Sequence, residues 1–154
     1  MGLEIERKFL VNSNDEFSQI LKEASFSEIQ QSYLSLEPER SVRIRLRDKQ
    51  AFITIKGKQE GISRAEFEYE IPFEDGLELI KMGKFSPIKK RRYLHKVGML
   101  TWEIDIFQAQ NEGLIIAEIE LTSENQHFEK PSWLGKDVTS EHRYSNLNMY
   151  QNLV

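Results

Sequence analysis

The feature that most constrains this sequence is a two-residue alternation of charged and apolar side chains that recurs in segment after segment. In the opening stretch LEIERKF, for example, Glu4, Glu6 and Lys8 take every second position. Successive side chains of a β-strand point to opposite faces, so this spacing predicts strands with one charged face and one apolar face. The pattern recurs in seven of about eight predicted strands, at Glu4, Glu6 and Lys8, Arg43, Arg45 and Arg47, Thr54 and Lys56, Glu66, Glu68 and Glu70, Lys90 and Arg92, Glu103 and Asp105, and Glu118 and Glu120.

Most of these charged faces carry a single sign, and acidic and basic strands alternate along the chain. The alternative is the solvated face of an open antiparallel sheet, which usually mixes both signs with uncharged polar residues. Segregated signs favour a closed barrel whose lumen presents carboxylates on one part of its wall and cations on another. The apolar faces then point outward and are covered by helices.

A charged lumen indicates a charged ligand, because a cluster of internal charges is costly unless something compensates it. Mg²⁺ and Mn²⁺ take oxygen ligands and typically bridge protein carboxylates to phosphate oxygens. Arginine binds phosphate oxygens in pairs, and lysine supplies a compact charge. A chain of phosphates that carries divalent cations therefore suits a lumen with both kinds of wall.

The other patterns predict a mainly β, α+β chain with a few short helices. A helix follows the polar segment 12–15 and carries Phe17, Ile20 and Leu21 on one face, a second lies near 77–83, and a helical turn lies near 146–152. Residues from Ser132 onward otherwise look irregular. We expect one domain over 1–154, with strands at 3–11, 29–36, 41–47, 51–56, 64–71, 85–97, 100–107 and 114–121.

Composition excludes several classes of function. The chain has no cysteine, so a disulfide framework, a thiolate metal site and a thiol nucleophile are ruled out. Its 21 basic residues are outnumbered by 25 acidic ones, which argues against a nucleic-acid partner. No apolar run approaches the ~20 residues of a membrane span, and the start lacks the features of a signal peptide. A cytoplasmic location without membrane partners is the resulting prediction.

An ordered set of motifs resembles the CYTH superfamily, also called triphosphate tunnel metalloenzymes. Glu4-x-Glu6-x-Lys8 is similar to the ExExK signature of that family. It is followed in family order, over nearly the whole chain, by SVRIRLR, FITIKG, RAEFEYEIP, KKRRY, WEIDIF, GLIIAEIEL, PSWLGKDVT and RYSN. The resemblance implies an eight-stranded antiparallel tunnel with a charged lumen, short helices outside it, and metal-dependent hydrolysis or transfer at a triphosphate.

The resemblance also implies roles for individual residues. Glu4, Glu6 and Lys8 are the expected catalytic residues, and Mg²⁺ or Mn²⁺ is the expected cofactor. The metal ligands that it implies are Glu4, Glu6, Asp105, Glu118 and Glu120. The phosphate-binding cations that it implies are Lys8, Arg43, Arg45, Lys56, Lys90 and Arg92, together with Lys136, on a helix that plugs or flanks the tunnel, and Arg143. Glu66 and Glu68 are either tunnel ligands or ion-pair partners of the arginines.

The leading function is a metal-dependent triphosphatase that cleaves inorganic tripolyphosphate to pyrophosphate and phosphate, with nucleoside triphosphates as weaker substrates. A class IV-type adenylate cyclase and a thiamine triphosphatase are the enzymatic alternatives. The non-enzymatic alternative is a module that binds polyphosphate or nucleotides without catalysis. The expected partner is thus a small polyphosphate or triphosphate, and a homodimer formed through barrel exteriors is a further possibility.

Overall fold

The computed structural model of the chain describes residues 2–152. The ends of the predicted domain, at residues 1 and 154, lie outside this range. The strands are β1 Leu3–Val11, β2 Ser25–Ser35, β3 Ser41–Arg47, β4 Gln50–Lys56, β5 Ser63–Ile71, β6 Ile88–Val97, β7 Leu100–Phe107, β8 Ile115–Glu120 and β9 Leu134–Asp137. The α-helices are α1 Asp15–Glu23, α2 Phe73–Leu79 and α3 Asn146–Asn152.

The strands form one antiparallel sheet that closes on itself. Hydrogen-bonded neighbours follow the order β5-β4-β3-β2-β6-β7-β8-β1-β9, and β5 also pairs with β1. The first half of β1 pairs with β5 through Leu3–Ile5, and its later residues pair with β9 on that same side. Strands β1–β8 therefore make the predicted eight-stranded barrel, and the fold prediction is confirmed.

Helix α1 covers the outer face of β1, β7 and β8. It begins at a cap in which the Asn14 side chain accepts a hydrogen bond from the Phe17 backbone N–H at 2.9 Å. Phe17 is buried against Trp133, and the two rings lie 5.3 Å apart. Trp102, from β7, completes this cluster, so the outer apolar face of these strands is a true core rather than a surface.

Helix α2 covers the outer face of β3 and β4, where Ile44, Leu46 and Ala51 are buried. The approach is close, because a Cβ on Gly76 would collide with the side chain of Ala51. The outer face of β5 is not covered in the same way. Phe67 and Tyr69 are 47% and 59% exposed, so the expected helical cover does not extend to this strand.

Helix α3 lies at one end of the lumen instead of on the outside. Its Met149 and Tyr150 pack with four residues whose register places them on the lumen face of their strands, namely Tyr33, Ile88, Phe107 and Ile116. The Tyr150 hydroxyl anchors the helix, because it donates to the Phe85 carbonyl and accepts from the Phe85 N–H, both at 2.9 Å. The lumen is therefore apolar at this end and charged further in.

Strand β9 is the element that the sequence pattern did not predict. Its four residues pair with the end of β1, through Phe9 with Asp137 and Val11 with Leu134. That half of β1 has no β5 residues beside it, so β9 supplies hydrogen-bond partners that an edge strand would otherwise lack. Within residues 2–152, no helix is long and apolar enough to span a membrane.

Candidate functional site: the charged lumen

The register of the strands brings most of the predicted site residues into the lumen. Arg43 lies beside Thr54 on β4, and Arg92 lies beside Asp105 on β7. Their outward-facing neighbours, such as Ile44 and Ile104, lie in the apolar layer outside the barrel wall. The predicted residues that share the lumen face are Glu4, Glu6, Lys8, Arg43, Arg45, Lys56, Lys90, Arg92, Asp105, Glu118 and Glu120.

Strands β1, β7 and β8 form the acidic part of the wall. Glu6 lies directly opposite Glu120. Glu103 lies directly opposite Glu118, but Arg92 is 3.4 Å from Glu103 and 3.7 Å from Glu118. Like charges in such cross-strand positions destabilise a sheet unless a cation lies near them. Burial, together with the charges of Glu118 and Glu4, raises the pKa of Glu6 well above its usual value. This wall therefore favours a bound cation.

Asp105 is the buried centre of an ion-pair cluster. The Lys90 Nζ donates to its Oδ2 at 2.6 Å, and the Arg92 Nε donates to its Oδ1 at 2.7 Å. Burial opposes ionisation of Asp105, but these two cations outweigh it and hold the pKa of Asp105 well below its usual range. Burial also lowers the pKa of Lys90, to about 7, although Asp105 favours its charged form.

The cationic part of the wall carries groups that protein carboxylates do not fully compensate. Arg45 is buried, and burial together with the nearby charges of Arg43 and Arg92 lowers its pKa to about 9. The Arg43 Nε is buried and has no hydrogen-bond partner among residues 2–152. Because a buried donor without an acceptor is costly, the arrangement favours a bound anion that supplies acceptor oxygens.

A second group of ion pairs lies on β1, β3, β4 and β5. The Lys56 Nζ lies 3.0 Å from Glu4 and 3.5 Å from Glu66, and Arg43 lies 3.4 Å from Glu68. In this structure Glu66 and Glu68 are thus ion-pair partners of lumen cations. Burial opposes ionisation of Glu4, but Lys56 outweighs it and lowers the pKa of Glu4.

Two of the predicted phosphate-binding residues lie away from this cluster. Lys136 belongs to β9, and its exposed side chain pairs with Glu141 at 2.9 Å. The prediction that Lys136 lies on a helix is wrong, because its segment pairs with the end of β1. Arg143 is exposed and stacks on the Tyr144 ring at 5.1 Å. The helix at the end of the lumen is α3.

Two polar residues in the site have no counterpart among the predicted site residues. Gln31, on β2, is fully buried and shares the lumen face with Arg45. Asn146, the first residue of α3, accepts hydrogen bonds from Gln31 and Lys90. Gln31 could have been placed in the lumen from the alternation of side chains along β2. Asn146 lies in a helix, where this alternation gives no information. Tyr33 lies on the same face as Gln31, and its ring packs against Tyr150 at 5.5 Å.

Comparison with known proteins agrees with this geometry. The model of the CYTH domain matches residues 2–151. The chain belongs to the CYTH domain family. It is 42% identical over 153 residues to an inorganic triphosphatase of Acetivibrio thermocellus, with 99% of this chain and 96% of the relative covered. It is 34% identical over 149 residues to an inorganic triphosphatase of Nitrosomonas europaea, with 93% of each protein covered.

A solved structure is similar as well. The crystal structure of an inorganic triphosphatase aligns with a TM-score of 0.67 at 30% sequence identity. The alignment covers 96% of this chain and 93% of that one. This CYTH chain therefore shares the fold of that triphosphatase over nearly its whole length.

The chemistry of the acidic wall fits a divalent metal ion. Its carboxylates are the hard oxygen ligands that Mg²⁺ and Mn²⁺ prefer, and the like-charged pair of Glu6 and Glu120 favours a cation. Among residues 2–152, no three carboxylate or histidine side chains are already arranged as a metal-binding group. Glu4 binds Lys56 instead, and both oxygens of Asp105 accept from Lys90 and Arg92. The fit is better for Glu6, Glu118 and Glu120 than for Asp105.

Proposed function

We propose that this CYTH protein is a metal-dependent hydrolase that cleaves inorganic tripolyphosphate to pyrophosphate and phosphate, with nucleoside triphosphates as weaker substrates. The observation that carries the proposal is a buried lumen in which an acidic wall and an incompletely compensated cationic wall face the same space. Both curated relatives described above bear the name inorganic triphosphatase, which supports the same substrate.

The cations bind and orient the phosphate chain in this proposal. Arg43 and Arg45 offer planar donors that match phosphate oxygens, and Lys8 offers a compact charge. Lys56, Lys90 and Arg92 complete the set. Because Arg43, Arg45 and Lys90 are held by buried contacts, little reorganisation of these groups is needed when negative charge develops on the leaving pyrophosphate.

Glu6, Glu118 and Glu120 would hold Mg²⁺ or Mn²⁺ in this proposal, and Glu4 would join them by exchanging its contact with Lys56 for the metal ion. When bound, the metal ion neutralises phosphate charge and favours attack by water. We assign Asp105 a different role from the predicted one, because its oxygens already accept hydrogen bonds from Lys90 and Arg92. Asp105 positions these two cations for the phosphate chain.

The reaction needs no covalent intermediate. A water oxygen forms a bond to the terminal phosphorus, the bond from that phosphorus to the bridging oxygen breaks, and pyrophosphate leaves with the electron pair. The proton released by water passes to solvent. The protein contributes orientation of the chain and stabilisation of charge, which are the main terms in enzymatic phosphoryl transfer.

An assay panel tests the proposal. Tripolyphosphate, ATP, thiamine triphosphate and pyrophosphate are each incubated with Mg²⁺ or Mn²⁺, and the products are separated. We expect the highest kcat/KM for tripolyphosphate, with phosphate and pyrophosphate as products. Formation of cyclic AMP and pyrophosphate from ATP as the dominant reaction would contradict the proposal and favour a cyclase.

A further inference from the structure

The lumen cations differ in whether their partner is a carboxylate or a neutral acceptor. Four of them have a carboxylate within ion-pair distance, and these are Arg43, Lys56, Lys90 and Arg92. Arg45 and Lys8 lack such a carboxylate among residues 2–152. The Arg45 Nε and Nη2 donate to the Gln31 Oε1 at 2.9 and 2.8 Å, and the Lys8 Nζ donates to the Tyr144 carbonyl at 3.2 Å.

A neutral acceptor has a different effect from a carboxylate. The amide oxygen of Gln31 fixes the orientation of the Arg45 guanidinium, yet it leaves the positive charge of that group uncompensated. A carboxylate at the same position would fix the same orientation and cancel the charge. Gln31 is fully buried, so its contact with Arg45 is shielded from solvent.

Asn146 extends this contact to a second cation. Its Oδ1 accepts from the Gln31 Nε2 at 2.9 Å and from the Lys90 Nζ at 3.1 Å. Asn146 opens α3, which is anchored by the buried side chains of Met149 and Tyr150. The C-terminal helix and strand β2 thus jointly set the spacing between Arg45 and Lys90.

We propose that Gln31 and Asn146 are positioning residues of the phosphate site, which hold Arg45 and Lys90 through a neutral amide bridge and leave the charge of Arg45 available to the substrate. This inference rests on the proposed function. It predicts that a negative charge at position 31 weakens substrate binding even though it strengthens the contact to Arg45. If Gln31 had only a structural role, a stronger contact to Arg45 would not be accompanied by weaker substrate binding.

The first test compares Gln31→Glu with Gln30→Glu. Gln30 is the matched control, because it is the neighbouring glutamine of β2 and its side chain lies on the exposed outer face. For Gln31→Glu we expect the KM for tripolyphosphate to rise about tenfold or more, with a smaller change in kcat. The Tm should change little, because the stronger contact to Arg45 offsets the hydrogen bond that Gln31 no longer donates to Asn146. Gln30→Glu is expected to keep the KM, kcat and Tm of the wild type. A wild-type KM in Gln31→Glu overturns the inference.

The second test is a double-mutant cycle on kcat/KM with Gln31→Ala and Asn146→Ala. Residues that act through one bridge should be coupled, so the double variant should lose little more than the larger single loss. Lys56→Ala removes a lumen cation that pairs with Glu4 and Glu66 and leaves the contacts of the bridge in place. Its effect should therefore add to that of Gln31→Ala. Additive losses within the Gln31 and Asn146 pair would overturn the inference.

Failure of the proposed function gives a different result. In that case the wild type does not cleave tripolyphosphate, whatever the variants do. If the wild type is active and Gln31→Glu matches Gln30→Glu, the proposed function stands and the amide bridge is refuted. If Asn146→Ala does not fold, as judged by its thermal transition, Asn146→Ser replaces it in the cycle, because the shorter side chain cannot bridge Gln31 and Lys90.

Discussion

The assignment of Asp105 as a positioning residue makes a prediction about stability, because a metal ligand and an ion-pair partner respond oppositely to loss of charge. Asp105 accepts three hydrogen bonds from Lys90 and Arg92, at 2.6, 2.7 and 2.9 Å, and is 1% exposed. The variant Asp105→Asn keeps the shape of the side chain and removes its charge. Lys90 and Arg92 would then lie buried beside each other without this carboxylate.

Removing one partner of a buried ion pair typically costs about 3–5 kcal/mol. Lys90 can reduce this cost by losing its proton, since burial already lowers its pKa to about 7. We therefore expect the free energy of unfolding of Asp105→Asn to fall by about 3 kcal/mol at neutral pH, measured by urea denaturation without metal. Added pyrophosphate should recover part of the loss, because the anion supplies the missing negative charge.

A neighbouring surface pair supplies the control. Glu28 pairs with Arg91, the residue between Lys90 and Arg92, and both side chains are partly exposed. Glu28→Gln should leave the unfolding transition almost unchanged, since exposed ion pairs contribute little. If Asp105→Asn is as stable as the wild type or more stable, the carboxylate was a source of repulsion, as in an empty metal site. That result would refute the positioning role.

Three further predictions concern the site and its surroundings. EDTA should abolish activity, and Glu6→Gln should do so with an unchanged circular dichroism spectrum; an active Glu6→Gln would remove Glu6 from the metal ligands. Arg45→Ala should lower kcat/KM for tripolyphosphate and for ATP by similar factors, roughly tenfold to a hundredfold, whereas a loss confined to ATP would indicate contact with the nucleoside. Burial works against ionisation of Asp137, but hydrogen bonds from Thr139 and Arg7 outweigh it and lower its pKa. Its carboxylate thus stabilises the fold above about pH 4 and loses this effect as the pH falls. The Tm difference between wild type and Asp137→Asn should shrink from pH 7 to pH 3; a constant difference would contradict this.

The sequence by itself determined which side chains face the lumen on seven strands. Side chains alternate strictly along a strand, so one register fixes the face of every residue in it. Arg43 and Arg45, for example, could be placed together without any knowledge of the neighbouring strands. The segregation of charge by sign then made a closed barrel more favourable than an open sheet, and the ring of strand pairs in the structure agrees.

Only the tertiary structure decided what surrounds those charges. Gln31 lies on the one strand whose lumen face is uncharged, and Asn146 comes from a helix far along the chain, so neither has a local charge pattern that marks it. The helix expected at Lys136 came from the family resemblance, and the segment is instead a strand because it pairs with β1. Alternation is a property of a few consecutive residues. The partner of a buried charge, by contrast, depends on which segments the closed barrel brings within hydrogen-bond distance, and that distance exists only in the folded chain.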